Sequence, residues 1–168
     1  TTEQESLDVL VREIDRMDVF LQEMLSLAAS SGEAVARGAE EESGTDTVLD
    51  EVVGSVLRLT AARSRHAGVC VTERLDGGNA RVAFPEPALR QVVLNLVLNA
   101  LEAMPQGGDL TVETRADAGE TAASVSVTDT GPGIELAGKA DIFEPFVTTK
   151  AHGTGLGLFV CKSIVDRN

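Results

Sequence analysis

The stretch from Leu89 to Met104 leaves this chain the fewest choices. It is nearly all apolar, it follows Pro85 and Pro87, and Pro105-Gln106-Gly107-Gly108 ends it. Proline is tolerated in a first helical turn, so the stretch reads as one long buried helix. Asn95 and Asn99 stand four residues apart and Glu102 three further on, which puts all three on one face. Polar groups on a buried helix need partners. Two solutions stay open: a metal–phosphate ligand meets that face, or the asparagines are core residues bonded to backbone.

Two further strings carry chemistry. Ser124 to Thr128 alternates as a strand does, and Asp129-Thr130-Gly131-Pro132-Gly133-Ile134 follows at once. A carboxylate beside two glycines stands where a flat ring can approach. It could accept a hydrogen bond from an exocyclic amine, selecting adenine over guanine, or it could simply form a common Asp-Thr-Gly turn. Later, Gly153-Thr154-Gly155-Leu156-Gly157 runs into a helix from Leu158 to Val165. Such a loop can turn backbone N–H groups inward beside a helix N-terminus, forming an anion cradle. It lacks the Gly-Lys-Ser/Thr of a Walker A loop, and Leu158 stands where the Rossmann fingerprint requires its third glycine.

The other elements suit an α+β layered domain. An amphipathic helix is expected from a cap at Asp46 or Thr47 to about Gly68, carrying Val48, Leu49, Val52, Val53, Val56, Leu57 and Leu59. A strand over Val69–Leu75 should turn at Gly77-Gly78 into a short partner at Arg81–Phe84, and further strands are expected over Leu110–Arg115 and Ala123–Thr128. Ahead of these, Leu7, Leu10, Ile14, Met17, Leu21, Met24 and Ala28 form a heptad seam. Residues 1–30 therefore predict a helix of a dimerising bundle or, failing that, an amphipathic helix lying on its own domain, residues 31–46 a linker, and residues 47–168 the folded domain.

A net charge of −13, from 27 acidic and 14 basic residues, argues against a nucleic-acid partner. An anionic ligand would then need a metal ion or backbone N–H groups. Cys70 and Cys161 read as two buried thiols in a reducing compartment. No apolar run reaches the roughly 18 residues of a membrane span, and Thr1 opens no signal segment, so a cytoplasmic location is expected, with a parent protein free to be membrane-anchored.

Taken in order, the three strings resemble the N box and the two glycine-rich boxes of sensor histidine kinases. Ile142-Phe143-Glu144-Pro145-Phe146, followed by Val147-Thr148-Thr149-Lys150, is similar to the F box between them. Leu98 to Thr114 is especially similar to nitrogen-sensor-like members, and Glu13 to Met17 resembles the second helix of the family's dimerisation hairpin. The likeness spans about residues 46–165.

This resemblance implies a Bergerat-type ATP-binding fold, an α/β sandwich with helices on one face of a mixed sheet. It implies ATP and Mg²⁺ as cofactors, with Asn99 as metal ligand and Asn95 as its polar neighbour one turn earlier. Asp129 would hold adenine, with Gly131, Gly133 and Ile134 beside it. Gly153, Thr154, Gly155, Leu156 and Gly157 would form the hinge and phosphate loop. Ile134 to His152 would be a lid, with Phe143 and Phe146 anchored in apolar pockets. Lys150 would reach the terminal phosphate or remain a solvated lid charge. The implied partners are a second copy through the N-terminal helix, a phosphoacceptor histidine domain and a response-regulator receiver domain.

Hydrolytic relatives of this fold carry a glutamate one turn before the metal-binding asparagine, as general base for water. Here that position is Asn95, which favours transfer to a side chain. His66 is followed by Ala67-Gly68 and His152 by Gly153, so neither resembles the family's acceptor, which is expected outside this chain. The family also usually continues past the final helix into a glycine-rich β-hairpin, expected to be missing after Asp166-Arg167-Asn168. A nucleotide-sensing pseudokinase or an anti-sigma-factor-type serine kinase are the alternatives.

Overall fold

The computed structural model describes residues 47–78, 80–116, 122–134, 141–150 and 153–168. The heptad helix, the linker with Asp46, lid residues 135–140 and His152 lie outside the described residues.

In chain order, a two-residue strand β1 (Thr47–Val48) leads into α1 (Leu49–His66). Asp50 and Glu51 in the first turn of α1, and Arg63, Arg65 and His66 in its last, complement the helix dipole. Then come β2 (Val69–Asp76), β3 (Arg81–Val82) and α2 (Glu86–Ala103). Strands β4 (Gly108–Ala116) and β5 (Ala123–Asp129) follow, and α3 (Gly157–Arg167) ends the described chain.

The main sheet has the order β2-β4-β5, parallel between β2 and β4 and antiparallel between β4 and β5. Parallel neighbours need a crossover, and α2 supplies it. The two parallel strands start side by side, Val69 opposite Gly108. Just before that point Gly68 and Gly107 touch: a Cβ on Gly107 would lie 2.7 Å from the Gly68 carbonyl oxygen. Both have positive φ, +69° and +88°, so glycine serves there in conformation and in space.

One face of the sheet is covered and the other is wet. Leu110, Val112 and Thr114 of β4 point inward with 0% exposure, while Asp109, Thr111, Glu113 and Arg115 alternate outward. On the outer face Arg74 pairs with Glu113 directly across the parallel register, at 2.7 Å. Against the inner face, α1 brings Leu49, Val52, Val53, Val56 and Leu57, and α2 brings Leu89, Val93, Val97, Ala100 and Leu101. Both sets repeat at helical spacing, which is why two amphipathic helices and one half-polar sheet make a two-layer α+β sandwich. No described helix is long and apolar enough to cross a membrane.

Four expectations need correction. Thr47 is not a helix cap: its hydroxyl donates to the Phe84 carbonyl at 2.6 Å, and α1 starts after Val48 with no side-chain cap. The short strand β3 pairs with β1 and not with β2, because Ala80 is drawn instead to the start of α1, its carbonyl accepting from Leu49 N–H. Leu59 is 66% exposed, on the solvent side of α1. Cys70 is exposed, since the residues between Val69 and Val71 of an alternating strand face outward; only Cys161 is buried.

Candidate functional site

Helix α2 is the spine on which the three strings assemble. Its polar face makes a ladder of contacts with distant segments. Nearest its start, Gln91 Nε2 donates to Asn95 Oδ1 at 3.1 Å, and Asn95 Nδ2 reaches the Gly157 carbonyl at 3.5 Å. Asn95 is only 8% exposed, so its amide ties α2 to the first residue of α3. One turn on, Asn99 Oδ1 accepts from Lys150 Nζ at 3.2 Å, and Glu102 Oε2 takes the same ammonium at 2.8 Å. Glu102 Oε1 also meets Arg63 of α1 at 3.3 Å. At the end of the helix, a Cβ on Gly131 would lie 3.1 Å from the Ala103 Cβ.

The carboxylate of Asp129 closes β5. Thr130 holds the following turn against the start of β4 by a reciprocal pair: its N–H donates to the Asp109 carbonyl at 3.1 Å, and its Oγ1 accepts from Asp109 N–H at 3.0 Å. With that anchor fixed, Asp129 Oδ1 accepts from Gly131 N–H at 2.8 Å, and the side chain stays exposed at the surface. Gly131 is boxed in by Asp129 and Ala103. Gly133, at φ +74°, has no atom within 4 Å of the place a Cβ would take, so the turn opens there.

The glycine loop packs on the segment before it. Gly153 N–H donates to the Lys150 carbonyl at 3.2 Å, and Phe146 N–H donates to the Gly155 carbonyl at 3.0 Å. Leu156, 2% exposed, roots the loop in the interior; as the residue before α3 it makes no side-chain cap, and its own N–H donates to Thr154 Oγ1 at 3.3 Å. A helix start following a glycine loop offers donors and a positive dipole end to an anion. Behind it, Cys161 sits against the Val92 carbonyl, and burial pushes its thiol up to about 11, with a smaller opposing effect from Asn95. Among the described residues no three His, Cys, Asp or Glu side chains cluster to hold a metal.

Residues 85–168 match the family described as histidine kinase-, DNA gyrase B-, and HSP90-like ATPase. The chain belongs to that ATPase family. It is similar to sporulation kinase A of Bacillus subtilis (strain 168), 32% identical over 161 residues, covering 96% of this chain and 25% of that protein. It is similar to the catalytic domain of histidine kinase ThkA, 34% identical with a TM-score of 0.66, covering 73% of this chain and 80% of that one. The structure of ThkA in complex with response regulator protein TrrA superposes with a TM-score of 0.68 at 27% identity, covering 95% of this chain and 42% of that one. The chain thus spans about a quarter of the length of the curated relative it matches. Within the family it stands with the histidine kinase catalytic domains, and its mixed sheet with helices on one face is their fold.

For an ATPase-family site, the sequence singled out Asn95, Asn99, Asp129, Gly131 and the 153–157 loop, and the fold gathers these along α2. One expectation does not fit. Phe146 is 73% exposed and Phe143 39% exposed, so neither is anchored in an apolar pocket; Phe146 instead takes a positive φ of 66° to meet Gly155. Ile134 is likewise exposed, at 60%. Lys150 is paired to Glu102 and Asn99 of α2 with its side chain still 37% exposed. Arg63 was missed, because it belongs to α1 and nothing in its own surroundings points to Glu102, 39 residues away.

Proposed function

We propose that this chain is the ATP-binding catalytic part of a sensor histidine kinase. It would transfer the γ-phosphoryl group of ATP to a histidine on a dimerisation domain that these residues do not include. The observation carrying the reading is the ladder on α2: the Gly131 turn at Ala103, Lys150 at Asn99 and Gly157 at Asn95 bring three nucleotide-binding strings to one helix face.

In this reading Asp129 accepts from the adenine amine through the oxygen not engaged by Gly131, and the open turn at Gly133 lets the ring lie flat. The N–H groups at the start of α3 receive phosphate oxygens, with Gly153 and Gly155 keeping side chains out of the way. Mg²⁺, held by Asn99 and by phosphate oxygens, would neutralise charge developing on the transferred group. The chain's own share is positioning and charge stabilisation. Asn95 cannot take a proton at neutral pH, and its amide is already occupied by Gln91 and Gly157, which supports transfer over hydrolysis. The parent would act in the cytoplasm as a homodimer through a helix over residues 1–30, joined by a linker over 31–46, and pass phosphate to a response regulator. ThkA, to which this chain is similar, is found in complex with response regulator protein TrrA.

The test is transfer of label from γ-labelled ATP to a separately supplied histidine-bearing dimerisation domain. Label on that domain, and none on the chain alone, is expected. Bound ATP with no transfer to any supplied acceptor would favour a nucleotide-sensing module.

A further inference from the structure

The C-terminal turn of α2 is electrostatically odd. A helix end carries partial negative charge and favours cations, yet this last turn holds no basic residue and does hold Glu102. Two cations come to it from elsewhere, Arg63 from α1 and Lys150 from the segment before the glycine loop. Lys150 does not stop at Glu102. The same Nζ lies 3.2 Å from Asn99 Oδ1, the oxygen assigned above to the metal.

We infer that Glu102 and Asn99 form a seat in which the Lys150 ammonium stands in for the divalent cation, so that loading the metal requires Lys150 to leave Asn99. This rests on the ATP-site reading given under the proposed function. Magnesium coordinates oxygen at about 2.1 Å. An ion on Asn99 Oδ1 would therefore lie within roughly 5 Å of Nζ at its present position, where two positive charges repel. The ammonium has somewhere to go: it can stay on Glu102, one turn further along the helix, or swing to a phosphate.

The contact also reaches the loop. Lys150 N–H donates to Thr148 Oγ1 at 3.1 Å, and Gly153 N–H donates to the Lys150 carbonyl. Withdrawing Lys150 from α2 thus pulls on the backbone that leads into Gly153. The Lys150 and Glu102 side chains are each 37% exposed, so the pair is weak enough to release. Glu102 is in this account a positioning residue, acting through Lys150.

The experiment has two arms, both on the 168-residue chain. In nucleotide-free protein, hydrogen exchange is followed in peptides covering Phe146 to Gly157. Glu102→Gln and Lys150→Met should each speed exchange there while leaving β4 and β5 unchanged, and the double variant should add little to Lys150→Met. No acceleration in either single variant overturns the seat, whatever the nucleotide results. In the second arm ADP is titrated with and without Mg²⁺, since ADP lacks the terminal phosphate within reach of Lys150 in the proposed site. Lys150→Met should raise the ratio of Mg²⁺–ADP affinity to metal-free ADP affinity about threefold or more over wild type. An unchanged ratio of the two affinities overturns the exchange of cations. Wild type that binds no ADP at all overturns the nucleotide-site reading and the cation exchange with it, while the first arm still reads the latch itself.

Discussion

Gly155 and Phe146 meet backbone to backbone: a Cβ on Gly155 would lie 2.5 Å from the Phe146 carbonyl carbon. Both residues also sit at positive φ, +68° and 66°. Gly155→Ala must therefore push the two segments apart and take a left-handed conformation costing about 1–2 kcal/mol. The expected result is a weaker ATP affinity with the sheet intact, read by calorimetry beside hydrogen exchange in β4. Wild-type affinity in Gly155→Ala would show that this contact does not shape the site.

Phe146 gives the converse. Its side chain is largely in solvent, so it contributes little packing to set against the strain of its backbone. Phe146→Gly relieves that strain and loses chain entropy in comparable measure, so urea unfolding should shift by no more than about 1 kcal/mol. A loss of several kcal/mol would mean that the ring is anchored after all.

Deep in the fold, Thr114 ties β4 to the first turn of α1 and to the turn after β2. Its Oγ1 donates to Asp50 Oδ1 at 2.6 Å and accepts from Gly77 N–H at 3.2 Å, with the side chain wholly buried. Thr114→Val keeps the shape and strands both partners, so a loss of about 1–3 kcal/mol is expected by denaturant unfolding. A neutral result would mean that water or a neighbouring group replaces the hydroxyl.

The two thiols should behave differently. Cys70 lies on the open face of the sheet, while Cys161 is buried with its thiol raised to about 11, so alkylation at pH 8 should label Cys70 and spare Cys161. The sign for stability follows. The native state keeps this proton longer than the unfolded chain, whose thiol has the ordinary value of 9.0, so the stability tied to it is complete below 9.0 and is lost as pH rises through about 11. Cys161→Val should flatten the stability profile in that window. Equal labelling of both cysteines, or an unchanged profile, would contradict the burial.

The sequence was most legible where periodicity and composition agree. The α2 span, the strand alternation and the polar ladder Asn95–Asn99–Glu102 all follow from spacing, because a buried helix can carry polar residues only on a face that finds partners. Misreadings arose where a long-range bond decided a local conformation. Thr47 is a good cap residue in isolation, but the Phe84 carbonyl claims its hydroxyl from 37 residues away. Gly77-Gly78 does turn the chain, and only the path of α1 explains why Arg81 meets Val48. The Lys150–Glu102 pair has the same character: the residues lie 48 apart, and no pattern in either neighbourhood announces the other.

The most direct test of the nucleotide site is an ATP titration by calorimetry, with and without Mg²⁺, on wild type, Asp129→Asn and Asn99→Ala. Wild type should bind, and Asp129→Asn should lose about tenfold or more, the weight of a hydrogen bond to a charged group. Asn99→Ala should keep its metal-free affinity and lose the response to Mg²⁺. A wild type that does not bind ATP, or variants that bind like wild type with the Mg²⁺ response intact, would contradict the assignment of this helix face.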